Sequence, residues 1–217
     1  MMEIEITKAA ILYKSRSQLL IEDISLPKYL LSGQVLVEMI SSGICGAQIN
    51  EIDASKGPDK YLPHLLGHEG FAKVIEVGEN VKTVKPGDYV VMHWRPGSGI
   101  QAAPAEYMWR GRRLNSGWVT TFNKHCVVSE NRVTKIFGTK LDKYLIPLLG
   151  CALTTAYGVL KNDAEVNESD SILIIGAGGV GLAILKIAKL LKIDQIVVVD
   201  TFEQKLVLAQ QLGASST

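Results

Sequence analysis

The run Ile172-Leu173-Ile174-Ile175-Gly176-Ala177-Gly178-Gly179-Val180-Gly181 constrains this chain more than any other segment. Ile172–Ile175 reads as a short, continuously apolar strand of the kind buried in a parallel sheet. The glycines follow at once and open a helix. Gly176 permits a tight turn, Gly178 lets a pyrophosphate approach the backbone, and Gly181 lets helix pack closely on strand. With Gly179 and Val180 they form a cradle at the helix start, where unpaired N–H groups meet phosphate charge. A glycine pattern alone matches by chance; here a second strand, Ile196–Val199, ends at Asp200, 24 residues after Gly176. That is close to the ~20 expected for an acid that binds ribose. A carboxylate there accepts hydrogen bonds from both ribose hydroxyls and repels a 2′-phosphate, which favours NAD over NADP. The competing reading is that Asp200 ends a strand and caps the next helix.

The surrounding sequence divides in two. Up to about Gly138 it breaks into short β-rich runs, Ala9–Tyr13, Leu19–Ile24, Val35–Ser42, Ala72–Val77, Tyr89–His93 and Phe122–Val128. Helical periodicity is scarce there. The separators Ser32-Gly33, Gly78-Glu79-Asn80 and Lys85-Pro86-Gly87-Asp88 supply the positive dihedrals or fixed proline angle that reversing strands need. This predicts an antiparallel, barrel-like domain. Trp94 to Val119 lacks a clear period and reads as a long excursion. After Lys140, LDKYLIPLLGCALTTAYGVL has helical spacing, the βαβ unit follows, and Phe202–Leu212 predicts one more helix ending at Gly213.

Lys and Arg number 23 against 22 Asp and Glu, so no charge surplus points to nucleic acid, and a small-molecule partner is expected. The opening MMEIEITKAAILYKS alternates like a strand, unlike a signal peptide. The apolar stretch Ile172–Leu185 falls short of the ~20 residues of a bilayer span and holds four glycines. A cytoplasmic chain with no membrane segment is the expectation. Cys45, Cys126 and Cys151, odd in number and widely spaced, suit ligands or buried thiols better than disulfides.

Three further segments, SSGICGAQ around Cys45, LLGHEG around His68 and GCALTTAYG around Cys151, together with GAGGVG, resemble the zinc-dependent medium-chain alcohol dehydrogenase family over almost the whole chain. The resemblance implies an α/β fold with a β-rich domain: a GroES-like partly open β-barrel over 1–149, followed by an incomplete Rossmann domain, a doubly wound parallel sheet, over 150–217. It places the Cys₂His set of one catalytic zinc on Cys45, His68 and Cys151, with a fourth position open to water or substrate. Zinc would lower the alcohol's pKa so that the alkoxide passes hydride to NAD. Glu69 matches an acidic neighbour of the ligand, either an alternate ligand or a carboxylate behind the site. Thr155 matches a threonine near the nicotinamide, Lys205 a lysine that helps hold the ribose, and Trp94 a residue lining the substrate pocket. The implied substrate is an alcohol or polyol, or the matching carbonyl, and full-length relatives are expected to be homo-oligomers.

The chain also departs from that pattern. The family's hydroxyl and histidine relay is replaced by Ala47 and Asn50, so water, Asn50 or Glu51 would have to carry the alcohol proton. Gln48 stands where an acid usually orients the ligand histidine; its amide oxygen is expected to accept the ring N–H instead. Arg95–Gln101 contains no cysteine, so no structural zinc is expected, and Cys126 reads as an inert buried thiol. Two strands and two helices are legible before Thr217, where a Rossmann domain has two βαβαβ halves. The expectation is a truncated chain, a poor catalyst alone, with an unprotected apolar strand edge at Ile196–Val199. The other reading is a noncatalytic zinc- or nucleotide-binding remnant. A zinc-free quinone-type reductase ranks last, because Cys45, His68 and Cys151 are all present.

Overall fold

The structure, a computed structural model, describes residues 4–138 and 142–217. Met1–Glu3 of the first expected strand, and Lys140 and Leu141 where the helical spacing was expected to begin, lie outside the described residues. The chain forms two compact units, residues 1–150 and 151–217.

The regular structure of the first unit is mainly antiparallel sheet. Strands β1 (Ile6–Leu12), β2 (Leu20–Ser25) and β3 (Gln34–Ser42) precede the short helix α1 (Gly46–Ile52). After it come β4 (His64–Leu65), β5 (Gly70–Val77), β6 (Tyr89–Met92), β7 (Tyr107–Trp109), β8 (Arg112–Leu114), β9 (His125–Ser129) and β10 (Val133–Lys135). One sheet runs β4-β1-β2-β7-β8 and the other β10-β6-β5-β3-β9. The two are joined where Ala10 N–H donates to the Phe122 carbonyl at 2.8 Å and Lys124 N–H to that of Lys8 at 2.9 Å. The result is a partly open barrel.

The apolar run in β3 explains its central place. Leu36 joins Ile11, Ile24, Tyr107 and Leu114 in one core cluster. Its neighbours Val35 and Val37 point the other way, into a second cluster with Val74, Val90, Met92 and Val128. Over Val35–Val37 the strand is buried on both faces, and no polar residue interrupts it there.

All six strands expected from the sequence are present, shifted by a few residues at most. The excursion after Trp94 differs from expectation, because it contains the hairpin β7–β8. Its turn residues Arg110 and Gly111 both have positive φ, 48° and 73°, the arrangement of the tight hairpin turn. Arginine tolerates it because Glu22 on β2 receives both Trp109 Nε1–H at 2.7 Å and Arg110 Nε–H at 3.0 Å. Tertiary contacts override the local preference there.

In the second unit, α2 (Ala152–Gly158) is followed by β11 (Ser171–Ile175), α3 (Gly179–Leu190), β12 (Gln195–Val199) and α4 (Glu203–Gln211). β11 and β12 pair in parallel, Ile174 opposite Val198. Ile174, Ile196 and Val198 pack on Leu185 and Ala188 of α3. The alternate residues Leu173, Ile175, Val197 and Val199 are exposed, so this unit covers one face of its sheet and leaves an apolar face open. Among the described residues no helix is long and apolar enough to cross a membrane.

Candidate metal centre

Three short segments carry the donors. Cys45 follows β3 and occupies the position before α1, with extended backbone (φ −96°, ψ 154°). His68 lies between β4 and β5, after Gly67, whose φ is +93° and where a Cβ would stand 2.1 Å from Thr121 Oγ1. No side chain fits there, so glycine allows the chain to turn the histidine inward. Cys151 is peptide-bonded to Gly150, the end of a 3₁₀ turn over Ile146–Gly150. Ile146 anchors that turn on Phe71 and Val91, and a Cβ on Gly150 would lie 2.3 Å from the Met92 carbonyl oxygen. The turn is therefore seated on β6.

The sulfur of Cys45, a ring nitrogen of His68 and the sulfur of Cys151 lie within 4.8 Å of one another. Neither cysteine is in a disulfide. His68 Nδ1 is 2.7 Å from Gln48 Nε2, whereas His68 Nε2 is buried with no hydrogen-bond partner. Burial holds the ring's pKa below the usual histidine value, which favours the neutral imidazole that ligates metals. An unpartnered ring nitrogen beside two unlinked thiols fits the Cys₂His donor set of a zinc site.

Glu69 is not among the three residues that meet. Its buried side chain runs along Gly43, where a Cβ would come within 2.6 Å of Oε1, and its backbone accepts the Gly43 N–H at 3.1 Å. Gln48 departs from the sequence expectation. Its oxygen accepts the Cys45 N–H at 2.9 Å, so its nitrogen, not its oxygen, faces the histidine ring. Cys126 is fully buried, its Sγ–H directed at the Asn123 carbonyl, and burial pushes its thiol far above the usual range. It is chemically quiet.

A cavity of about 280 Å³ opens beside His68, lined by Glu51, Asp59, Tyr61, His64 and Asn115 among others. Asp59 Oδ2 is 2.8 Å from His64 Nε2, and burial is the largest influence on Glu51, raising its carboxyl. The sequence reading missed Asp59 and His64, because their spacing matches no motif. Ala47 is half-buried, Asn50 exposed, and Trp94 partly exposed beneath the Arg95 guanidinium.

The glycine turn of the second unit has the expected shape. Gly176 has φ +102°, a Cβ on Gly181 would lie 1.9 Å from the Gly176 oxygen, and Gly178 and Gly179 face open space. Asp200 follows β12 and accepts Ala177 N–H at 2.8 Å and Phe202 N–H at 2.9 Å, with Lys205 Nζ 3.6 Å away. The two backbone donors, then Lys205, hold its carboxyl below the usual range. Thr155 is half-buried on α2, and Thr154 Oγ1–H donates to the Cys151 carbonyl at 3.1 Å.

A partly open barrel that presents Cys45 and His68, followed by Cys151 and a βαβ unit, defines the class: a GroES-like architecture with a parallel-sheet unit after it. Residues 31–138 match the alcohol dehydrogenase GroES-like domain. The chain is 32% identical to an S-(hydroxymethyl)glutathione dehydrogenase of Photobacterium damsela subsp. piscicida, over 89% of this chain and 58% of that protein. It is 30% identical to the protein of that name from Haemophilus influenzae, over 89% and 56% respectively. Among solved structures it is similar to an alcohol dehydrogenase zinc-binding domain protein from Burkholderia ambifaria, with TM-score 0.87, 25% identity, and coverage of 97% of this chain and 63% of that one. Benzyl alcohol dehydrogenase from Acinetobacter calcoaceticus gives TM-score 0.83 at 25% identity, over 98% and 63%. Residues 31–138 thus carry the alcohol dehydrogenase GroES-like domain, and the chain spans about 58% of the length of the first of these curated relatives.

Proposed function

We propose that this chain binds one zinc ion through Cys45, His68 and Cys151, and NAD at the Gly176–Gly181 turn, within an oxidoreductase that transfers hydride between an alcohol or polyol and NAD. The observation that carries the reading is the convergence of two thiols on a buried ring nitrogen that no protein group satisfies. Residues 1–149 are the GroES-like catalytic domain, which supplies Cys45 and His68, and 150–217, which supply Cys151, are the N-terminal half of the NAD domain. A bound zinc ion supplies Lewis-acid polarisation of an alcohol oxygen.

The chain's own residues do the rest. Glu69 places a carboxylate behind the donors. Gly178 and Gly179 leave room for a pyrophosphate at the start of α3, and Asp200 and Lys205 hold the ribose, with Thr155 near the nicotinamide. With Ala47 unable to carry a proton, the cavity beside His68 is the exit for the alcohol proton. Glu51 and the Asp59–His64 pair stand along it. The relatives' names point to alcohols of different size, so the class proposed is an alcohol.

Mass spectrometry of the purified chain is expected to find about one zinc per chain, and NADH fluorescence to change on binding. Absence of both would favour a remnant without this chemistry. Asp200→Asn keeps an acceptor for Ala177 but removes the charge that repels a 2′-phosphate. The ratio of NADPH to NADH dissociation constants is expected to fall about tenfold or more. An unchanged ratio in titrations of both cofactors would remove Asp200 from the ribose site.

A further inference from the structure

We propose that Gln48 is a positioning residue that selects the tautomer of His68, and that it keeps this centre's zinc affinity below what the same three ligands would have with an acid in its place. The inference rests on the metal reading above.

Gln48 is 2% exposed, in the first turn of α1. The Cys45 backbone N–H, 2.9 Å from Oε1, fixes which end of the amide is which. The end 2.7 Å from His68 Nδ1 is then Nε2, and an amide nitrogen only donates. Nδ1 must accept, so a neutral ring carries its proton on Nε2. Nε2 is the ring nitrogen left without a protein partner, and hence the one available to an ion.

A metal ion needs the Nε2 lone pair, which requires the proton to sit on Nδ1. There it would point at the Gln48 amide hydrogens, donor against donor. Turning the amide over supplies Nδ1–H with an acceptor but sets Nε2 of Gln48 against the Cys45 N–H, moving the conflict without removing it. The ion-bound state presents two donors, Cys45 N–H and His68 Nδ1–H, to a side chain with one accepting end. A carboxylate of the same length accepts both. Histidine ligands ordinarily pass their second N–H to a carboxylate, carbonyl or water, and losing that partner costs about 10–100-fold in metal affinity.

The experiment uses the full chain. In chelator competition, Gln48→Glu is expected to bind zinc about 10–100-fold more tightly than the parent. Asn50→Asp adds the same charge at an exposed position of the same helix and should leave the affinity near the parent's. In metal-free, ¹⁵N-histidine-labelled chain, the His68 ring, assigned by loss of its signals in His68→Asn, is expected as the Nε2–H tautomer with Gln48 and as Nδ1–H with Glu. A parent chain already in the Nδ1–H tautomer would overturn the proposal, as would Gln48→Glu binding no tighter than Asn50→Asp. Should Gln48→Glu not fold, the parent's tautomer decides alone. If the parent takes up no zinc, the proposed function fails, while the tautomer still tests Gln48.

Discussion

Cys45→Ser is expected to lose zinc binding outright, because it removes a soft, anionic ligand while sparing the backbone that presents it. Serine is a preferred residue in front of a helix, and the extended backbone of Cys45 before α1 suits it. The fold should survive, leaving a hydroxyl where the donor set needs a thiolate. The affinity loss should exceed the roughly 100-fold that a missing outer partner costs, so zinc content after dialysis against a weak chelator falls from about one per chain to almost none. Thermal unfolding gives a second reading. A ligand at 100 times its dissociation constant stabilises the folded state by about 2.7 kcal/mol, so added zinc should raise the parent's midpoint and leave the variant's unmoved. Cys126→Ser is the control, since Cys126 is fully buried and bonded to the Asn123 carbonyl. Equal zinc content in Cys45→Ser and the parent would remove Cys45 from the centre.

The parts of the molecule legible in the sequence are those where one local pattern has one physical outcome. β3 and β5 announce themselves by apolar runs between turn residues, and the glycine turn by the strand and helix on either side of it. Cys45, His68 and Cys151 are legible only jointly, through segments that resemble a family; singly each reads as a buried side chain. The β7–β8 hairpin was hidden because Arg110 adopts positive φ with help from Glu22, 88 residues away in sequence. α1 was hidden by its length, 7 residues, too short for a period to register. The orientation of Gln48 could not be read at all. Glutamine offers a donor and an acceptor in the same letter, and the Cys45 N–H decides between them only once α1 is folded. Glu130, which no sequence motif singles out, lies between β9 and β10, and only the folded loops show what it holds.

That residue gives the largest expected loss of stability. Arg95–Gln101 contains no cysteine, and a polar hub fastens the segment. Glu130 is 2% exposed. Its Oε1 accepts Lys82 N–H at 2.6 Å and Thr83 N–H at 2.7 Å, and its Oε2 accepts Ile100 N–H at 2.8 Å. Arg132 adds bonds to the Trp94 carbonyl and to Gln101 Oε1. Glu130→Ala leaves three backbone donors without an acceptor, each costing about 1–3 kcal/mol when buried. With water entering the space, a total of about 3–5 kcal/mol is expected, or roughly 6–20 °C in unfolding midpoint for a domain of this size. All three tryptophans, Trp94, Trp109 and Trp118, lie in the first unit, so their fluorescence reports the loss where it occurs. The same group predicts an acid limb. Burial alone would raise the Glu130 carboxyl, but the backbone donors outweigh it and hold it below the usual glutamate value of 4.5. A carboxyl depressed on folding stabilises the chain above its unfolded value, and that contribution disappears as pH falls through the folded one. Denaturant melts should therefore show the parent losing more stability between neutral pH and acid than Glu130→Gln, which keeps one accepting oxygen and no charge. Parallel acid limbs for the two, or a Glu130→Ala midpoint within a few degrees of the parent's, would mean that other contacts hold the loop.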